Sequence, residues 1–188
     1  MKILVIDNYD SFTFNLVHLL HECGRQAEVW RNDKFALADI EPFDKILLSP
    51  GPGIPSEAGL LPDVIRTWSP SKSILGICLG MQAMAEVFGG SLYNLSRPVH
   101  GRATMLNVTQ PGEVLYQQLP EKFNVGRYHS WAVSPENLPA ELEVTGTDVD
   151  GVIMSLRHKT LDVRGVQYHP ESVLTENGRV IIQNWLEG

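Results

Sequence analysis

Short apolar runs, each too brief for a helix and each stopping at a turn, punctuate the first part of the chain, and helix-patterned segments stand between them. The runs are Lys2–Asp7, Ala27–Arg31, Lys45–Ser49 and Ser73–Cys78. Ser11–Glu22 places Phe12, Leu16, Leu19 and Leu20 on one helical stripe and closes at Gly24, and a second helix is predicted near Pro62–Trp68. Apolar strands joined by helices pair in parallel, because a parallel partner needs a crossover, and the crossover helices then cover both faces of the sheet. The predicted class is therefore α/β, an open and mostly parallel sheet with ligands at the carboxyl ends of its strands. Between Ser91 and Val166 the pattern changes to short β-rich pieces, Thr104–Val108, Val144–Thr147 and Val152–Leu156, read as partly antiparallel strands. Thr175–Glu187, with Val180, Ile181, Ile182 and Trp185, is read as a last helix packed on the sheet. No repeat, low-complexity tract or linker divides the chain, so residues 1–188 are expected to form a single domain.

The run Ser73-Ile-Leu-Gly-Ile-Cys78-Leu-Gly-Met-Gln82 ends on a cysteine with Gly76 and Gly80 two residues to either side. Small residues at those positions suit a strand-to-helix elbow too sharp for neighbouring Cβ atoms. Gln82–Phe88 reads as the helix after the elbow, ending at Gly89-Gly90. The thiol then sits at a helix N-terminus, where unpaired N–H groups and the positive end of the dipole favour the reactive thiolate. A buried small side chain would explain the cysteine equally well, so a partner base decides the matter.

Such a partner is present in Asp162-Val-Arg-Gly-Val-Gln-Tyr-His169-Pro-Glu171, read as a strand running into a proline-punctuated turn. In an extended segment residues two apart point the same way, which brings the Glu171 carboxylate beside the His169 ring. A carboxylate on one ring nitrogen fixes the tautomer and leaves the other nitrogen to take the thiol proton, the logic of a Cys-His-acid triad. The loop Ser49-Pro-Gly51-Pro52-Gly53-Ile-Pro55 follows another strand at the same sheet edge. Its glycines can aim backbone N–H groups into a cleft, and one of them together with the N–H of Leu79 is a candidate oxyanion hole.

Composition narrows the partners. With 43% hydrophobic residues the chain can bury a full core, and a net charge of −7 disfavours nucleic acid or an anionic membrane as the main partner. Cys23 and Cys78 are the only cysteines, too few for a disulfide framework, and a nucleophilic Cys78 must stay reduced, which fits a cytoplasmic location. The first apolar run is too short for a signal peptide and no segment approaches a membrane span, so a soluble chain is expected. His18 and His21 lie one helical turn apart, but no cysteine or carboxylate set accompanies them and no metal site is predicted. Cys23, before Gly24 at a helix end, reads as structural. Asp10 or Ser11 is the expected N-cap of the first helix.

Ile6-Asp-Asn-Tyr-Asp-Ser-Phe-Thr13, Ser49-Pro-Gly-Pro-Gly53, Leu75-Gly-Ile-Cys-Leu-Gly80, Tyr128-His-Ser130 and Gln167-Tyr-His-Pro-Glu-Ser172 together resemble the class I glutamine amidotransferases, from end to end of the chain. The first and fourth segments are similar to those of the small subunit of anthranilate synthase or of 4-amino-4-deoxychorismate synthase. The resemblance implies a flavodoxin-like fold, L-glutamine as substrate, no cofactor in this half-reaction, and ammonia passed to a separate chorismate-using synthase subunit. It also implies Cys78 as nucleophile, His169 as general base and acid, and Glu171 as the orienting carboxylate. Glutamine is implied to lie against Gly51, Pro52, Gly53, Gln82 and the backbone of Ser130 and Trp131. Three positions depart from the common pattern: Met81 where many relatives carry histidine, Trp131 where leucine is frequent, and Ile54 in place of threonine. Met81 is expected either to pack or to face the partner. His100-Gly-Arg102 resembles a family segment near the cleft, and the Asn8–Phe12 loop is expected near the synthase component. The chain stops soon after its last helix, leaving no room for a synthase domain, so ammonia is expected to leave for another polypeptide. The competing readings are a stand-alone γ-glutamyl hydrolase and a catalytically silent assembly subunit, the latter disfavoured by an intact Cys78-His169-Glu171 set.

Overall fold

A computed structural model describes residues 1–188. β1 (Ile3–Asp7), β2 (Ala27–Arg31), β3 (Lys45–Leu48) and β4 (Ser73–Ile77) alternate with helices α1 (Thr13–Glu22) and α2 (Leu61–Trp68), and α3 (Leu79–Val87) follows β4 directly. β5 (Leu92–Val108), β6 (Lys122–Val133), β7 (Leu142–Thr147), β8 (Ile153–His158) and β9 (Val163–Val166) come next, and α4 (Gly178–Glu187) ends the chain. All nine strands join one sheet in the order β2-β1-β3-β4-β9-β8-β7-β5-β6. The pairings from β2 through β9 are parallel and those from β9 to β6 antiparallel. The predicted α/β class holds, but the antiparallel half is larger than the sequence pattern suggests. Only the last residues of the 17-residue β5 are legible as a strand, and β6 is not.

Alternation along β1 shows how two apolar faces arise from one run. Ile3 and Val5 pack with Leu16 and Leu20 of α1 and Ile181, Ile182 and Trp185 of α4. Leu4 and Ile6 pack on the other face with Val64 and Ile65 of α2 and Ala83 and Met84 of α3. Residues one apart on a strand point to opposite faces, so a continuous apolar run is what a doubly covered strand requires. Met81, at 0% exposure, lies in a third cluster with Ile153 and Leu156 of β8, which resolves its role in favour of packing. No helix is long and apolar enough to cross a membrane.

Two local expectations are corrected. The N-cap of α1 is Phe12, with no side-chain bond, in place of Asp10 or Ser11. Asp10 instead accepts from the Phe12 N–H at 2.8 Å, and Thr13 Oγ1 donates to Asp7 Oδ1 at 2.8 Å, so the end of β1 holds the helix start through Thr13. α3 begins at Leu79, three residues before the predicted Gln82, because the elbow consists of Cys78 alone.

Candidate active site

Cys78 is the N-cap of α3 at φ +50°, ψ −101°, a conformation side chains with a Cβ rarely adopt. Its N–H donates to the Val166 carbonyl at 2.7 Å, tying the elbow to the end of β9, and its carbonyl accepts from Gln82 N–H at 3.1 Å. The flanking glycines are required by close approach. A Cβ on Gly76 would stand 2.5 Å from the Gly80 carbonyl carbon, and one on Gly80 would stand 2.8 Å from Leu48 Cβ and its carbonyl oxygen. Strand, elbow and helix are thereby pressed together with no room for side chains between them.

His169 lies next to this elbow because β9 pairs with β4 and both release their chains at the same edge. Nδ1 of His169 is 2.7 Å from Glu171 Oε1, and both side chains are almost fully buried, at 3% and 0% exposure. The contact was predicted for a different reason. β9 ends at Val166, and Ser172 N–H donates to the His169 carbonyl at 3.1 Å, so a tight turn across Pro170 and Glu171, not extended geometry, folds the carboxylate onto the ring. Phe12 and Tyr128 meet the imidazole edge to face, with centroids at 5.7 Å and 4.9 Å, and fix its plane. Burial disfavours the charged ring, but hydrogen bonding toward Cys78 and to Glu171, together with their negative charge, outweighs it and raises the His169 pKa to about 10. Nε2 itself is buried without a well-formed hydrogen bond, close to the sulfur but not aligned with it.

The loop after β3 is pinned beside the elbow. Asn8 N–H donates to Ser49 Oγ at 2.9 Å and Asn8 Nδ2 to the Ser49 carbonyl at 2.8 Å, while Asn32 Nδ2 donates to Asn8 Oδ1 at 3.0 Å. Gly51 runs so close to Leu79 that a Cβ there would stand 2.7 Å from the leucine side chain. The N–H groups of Gly51 and Gly53 have no acceptor within the chain. They and the first amide of α3, that of Leu79, are the available donors for a developing oxyanion.

A cavity of about 250 Å³ opens at this edge, lined by Gly51, Pro52, Gly53, Cys78, Gln82, Ser130 and Trp131 among the predicted residues. It is small against the ~300–1,000 Å³ of most ligand pockets and suits a single amino acid. Leu79, His169 and Glu171 lie behind the wall. Pro98, Val99, His100, Tyr128 and His129 complete the lining, and of these only the His100 segment and Tyr128-His129 had any sequence signal. The pairing of β5 with β6 steps from Asn94↔Trp131 to Val99↔His129, so Ser130 has no partner residue across the bulge and its backbone faces the cavity. Gln82 Nε2 donates to the Trp131 carbonyl at 2.9 Å and to Gln167 Oε1 at 3.1 Å, and Gln167 Nε2 reaches Cys78 Sγ at 3.4 Å.

Behind Trp131 stands a buried polar string absent from the sequence reading. His129 Nδ1 meets the Trp131 carbonyl at 2.7 Å, Arg127 Nε donates to His129 Nε2 at 3.0 Å, and Arg127 is ion-paired with Asp148. Burial is the main cause that lowers the His129 pKa to about 4, with Arg127 adding to it, so this ring is neutral. Elsewhere His18 contacts Glu22 at 3.2 Å, Cys23 Sγ lies 3.7 Å from the Arg179 carbonyl, and no group of three or more His, Cys, Asp or Glu is arranged to hold a metal.

The family model of class-I glutamine amidotransferases matches residues 4–188. Anthranilate synthase component 2 of Mycobacterium tuberculosis is 45% identical over 99% of this chain and 82% of its own length. Aminodeoxychorismate synthase component 2 of Escherichia coli is 45% identical over 98% of both chains. Among solved structures, that of a GMP synthase subunit from Thermoplasma acidophilum superposes with a TM-score of 0.89 at 28% identity, covering 100% of this chain and 92% of the other.

Proposed function

The chain belongs to the class-I glutamine amidotransferases, and from that premise we propose that it is the glutaminase component of a two-component synthase, releasing ammonia from L-glutamine for a chorismate-using partner that makes anthranilate or aminodeoxychorismate. The observation that carries the reading is the juxtaposition of the strained Cys78 elbow with the buried His169–Glu171 pair, under a cavity of amino-acid size. In this reading Cys78 Sγ attacks the side-chain amide carbon of glutamine. The tetrahedral oxyanion is held by the Leu79 N–H and a glycine N–H of the Gly51–Gly53 loop. His169, favoured as imidazolium between two anionic neighbours, gives its proton to the departing ammonia and leaves a γ-glutamyl thioester on Cys78. Neutral His169 next takes a proton from water, the hydroxyl adds to the thioester, and glutamate leaves as the thiolate reforms. Gln82 and the Ser130–Trp131 backbone orient the amino-acid end of the substrate. No step calls on a metal or organic cofactor.

Exposed apolar side chains near the carboxyl edge, Tyr9, Phe14 and Val173, support docking of a partner close to the cavity. One continuous nine-stranded sheet supports reading residues 1–188 as a single domain, and a nucleophilic free thiol supports a reducing, cytoplasmic setting. The test is glutamate release from glutamine by the chain alone and with each candidate chorismate-using component plus chorismate. Stimulation by one partner is expected and identifies the product. In that complex Cys78→Ala is expected to abolish glutamine-dependent synthesis and to spare synthesis from ammonium salt; glutamine-dependent turnover in the variant would overturn the assignment.

A further inference from the structure

Gln167 occupies the end of β9 at 0% exposure, two residues before His169, and the chemistry described above gives it no task. Its carboxamide orientation follows from its neighbours. The Trp131 carbonyl can only accept, so the Gln82 atom 2.9 Å from it is the NH₂ group. That same NH₂ lies 3.1 Å from Gln167, which must therefore present its oxygen there, leaving its own NH₂ directed at Cys78 Sγ at 3.4 Å. The Trp131 carbonyl is in turn fixed by His129. A neutral ring facing a carbonyl through Nδ1 carries its hydrogen on Nδ1, and Nε2 then accepts from Arg127. Every bond from Arg127 to the sulfur thus has one allowed direction. His169 Nε2, by contrast, makes no well-formed bond, so the sulfur is held by the amide and not by the base.

We propose that Gln167 is a positioning residue for the nucleophile: its NH₂ holds the Cys78 sulfur and stabilises the thiolate, and Gln82 locks that amide to the Trp131 carbonyl on the strand against which glutamine lies. The proposal rests on the reading of Cys78 as nucleophile and adds a route by which substrate seated on Ser130–Trp131 sets the position of the attacking atom. A donor to sulfur strengthens as negative charge develops there, so the amide favours thiolate over thiol. The other titratable groups around the cavity are His169 with Glu171 behind it, His100, Tyr128 and His129, and none of them bonds to Gln167.

The experiment measures the rate of Cys78 alkylation by iodoacetamide against pH in the full chain carrying Cys23→Ser. Gln167→Met removes the donor, and Gln167→Glu keeps the shape while substituting an acceptor. Both are expected to move the midpoint of the alkylation profile upward, by about one pH unit for the methionine variant and further for the glutamate. In glutamine turnover kcat should fall about tenfold or more while KM changes little, because the residue touches the sulfur and not the substrate. Coincident alkylation midpoints in parent and variants would overturn the proposal. Should neither variant fold, the side-chain amide resonances of Gln167 in the unaltered chain are expected to shift with Cys78 ionisation, and insensitive resonances would overturn it equally. Alkylation needs no glutamine turnover, so a failed nucleophile assignment, seen as an active Cys78→Ala variant, is distinguishable from a failed role for Gln167.

Discussion

Cys78 carries its function in its backbone as much as in its sulfur. A non-glycine residue at φ +50°, ψ −101° is strained by about 1–3 kcal/mol, and here the pairing of its N–H to Val166 and the start of α3 at Leu79 enforce it. This separates two substitutions that are equally inactive. Alanine keeps a Cβ and hence the strain, whereas glycine removes it at a cost of about 0.5–1 kcal/mol in chain entropy. Cys78→Gly is therefore expected to be more stable than Cys78→Ala by about 1 kcal/mol in urea titration; equal or reversed stability would mean that the elbow is relaxed. The elbow was legible because glycine spacing is a sequence property. Gln167 was not, since a carboxamide within an apolar strand acquires meaning only from the atoms that fold around it.

Among the elements, the contact of α3 with β3 and β4 is the tightest that bears on the site. A Cβ on Gly76 meets backbone at 2.5 Å, and backbone cannot step aside as a flexible side chain can. Gly76→Ala is thus expected to cost about 2–3 kcal/mol of stability, at the upper end of overpacking effects, and to depress turnover by shifting the first amide of α3. A variant with unaltered urea midpoint and kcat would show that the helix can slide. The parallel half of the fold was legible because each strand is apolar on both faces. β6 was not, because its inward positions Phe123, Val125, Arg127 and His129 give way midway to buried polar groups and the period-two apolar signal stops. Most of β5 is exposed and carries no such signal, so only its buried end near Leu106 showed. The His169–Glu171 contact was foreseen from strand periodicity but is made by a turn, a reminder that residues two apart can meet by either geometry.

At the scale of the whole molecule the two buried histidines tie stability to pH with opposite signs. His169, whose folded pKa is raised to about 10, contributes stability that is fully present below the unfolded value near 6.5 and is lost as pH rises through 10. His129, whose folded pKa is lowered to about 4, stays neutral while the unfolded chain takes up a proton, so its contribution is present above about 6.5 and is lost as pH falls toward 4. Linkage over that acid window makes His129 responsible for about 2 kcal/mol of the stability lost between pH 7 and pH 5. His129→Asn is the informative variant, because its amide can still donate to the Trp131 carbonyl and Arg127 keeps Asp148. Its stability at pH 7 should be lower than that of the parent, since Arg127 Nε loses an acceptor, yet its decline from pH 7 to pH 5 should be shallower by about 2 kcal/mol. Urea titrations of both proteins at the two pH values measure this difference. Parallel declines would mean that His129 takes its proton within the folded state near the ordinary histidine range, and the string from Asp148 to Trp131 would then have no fixed direction.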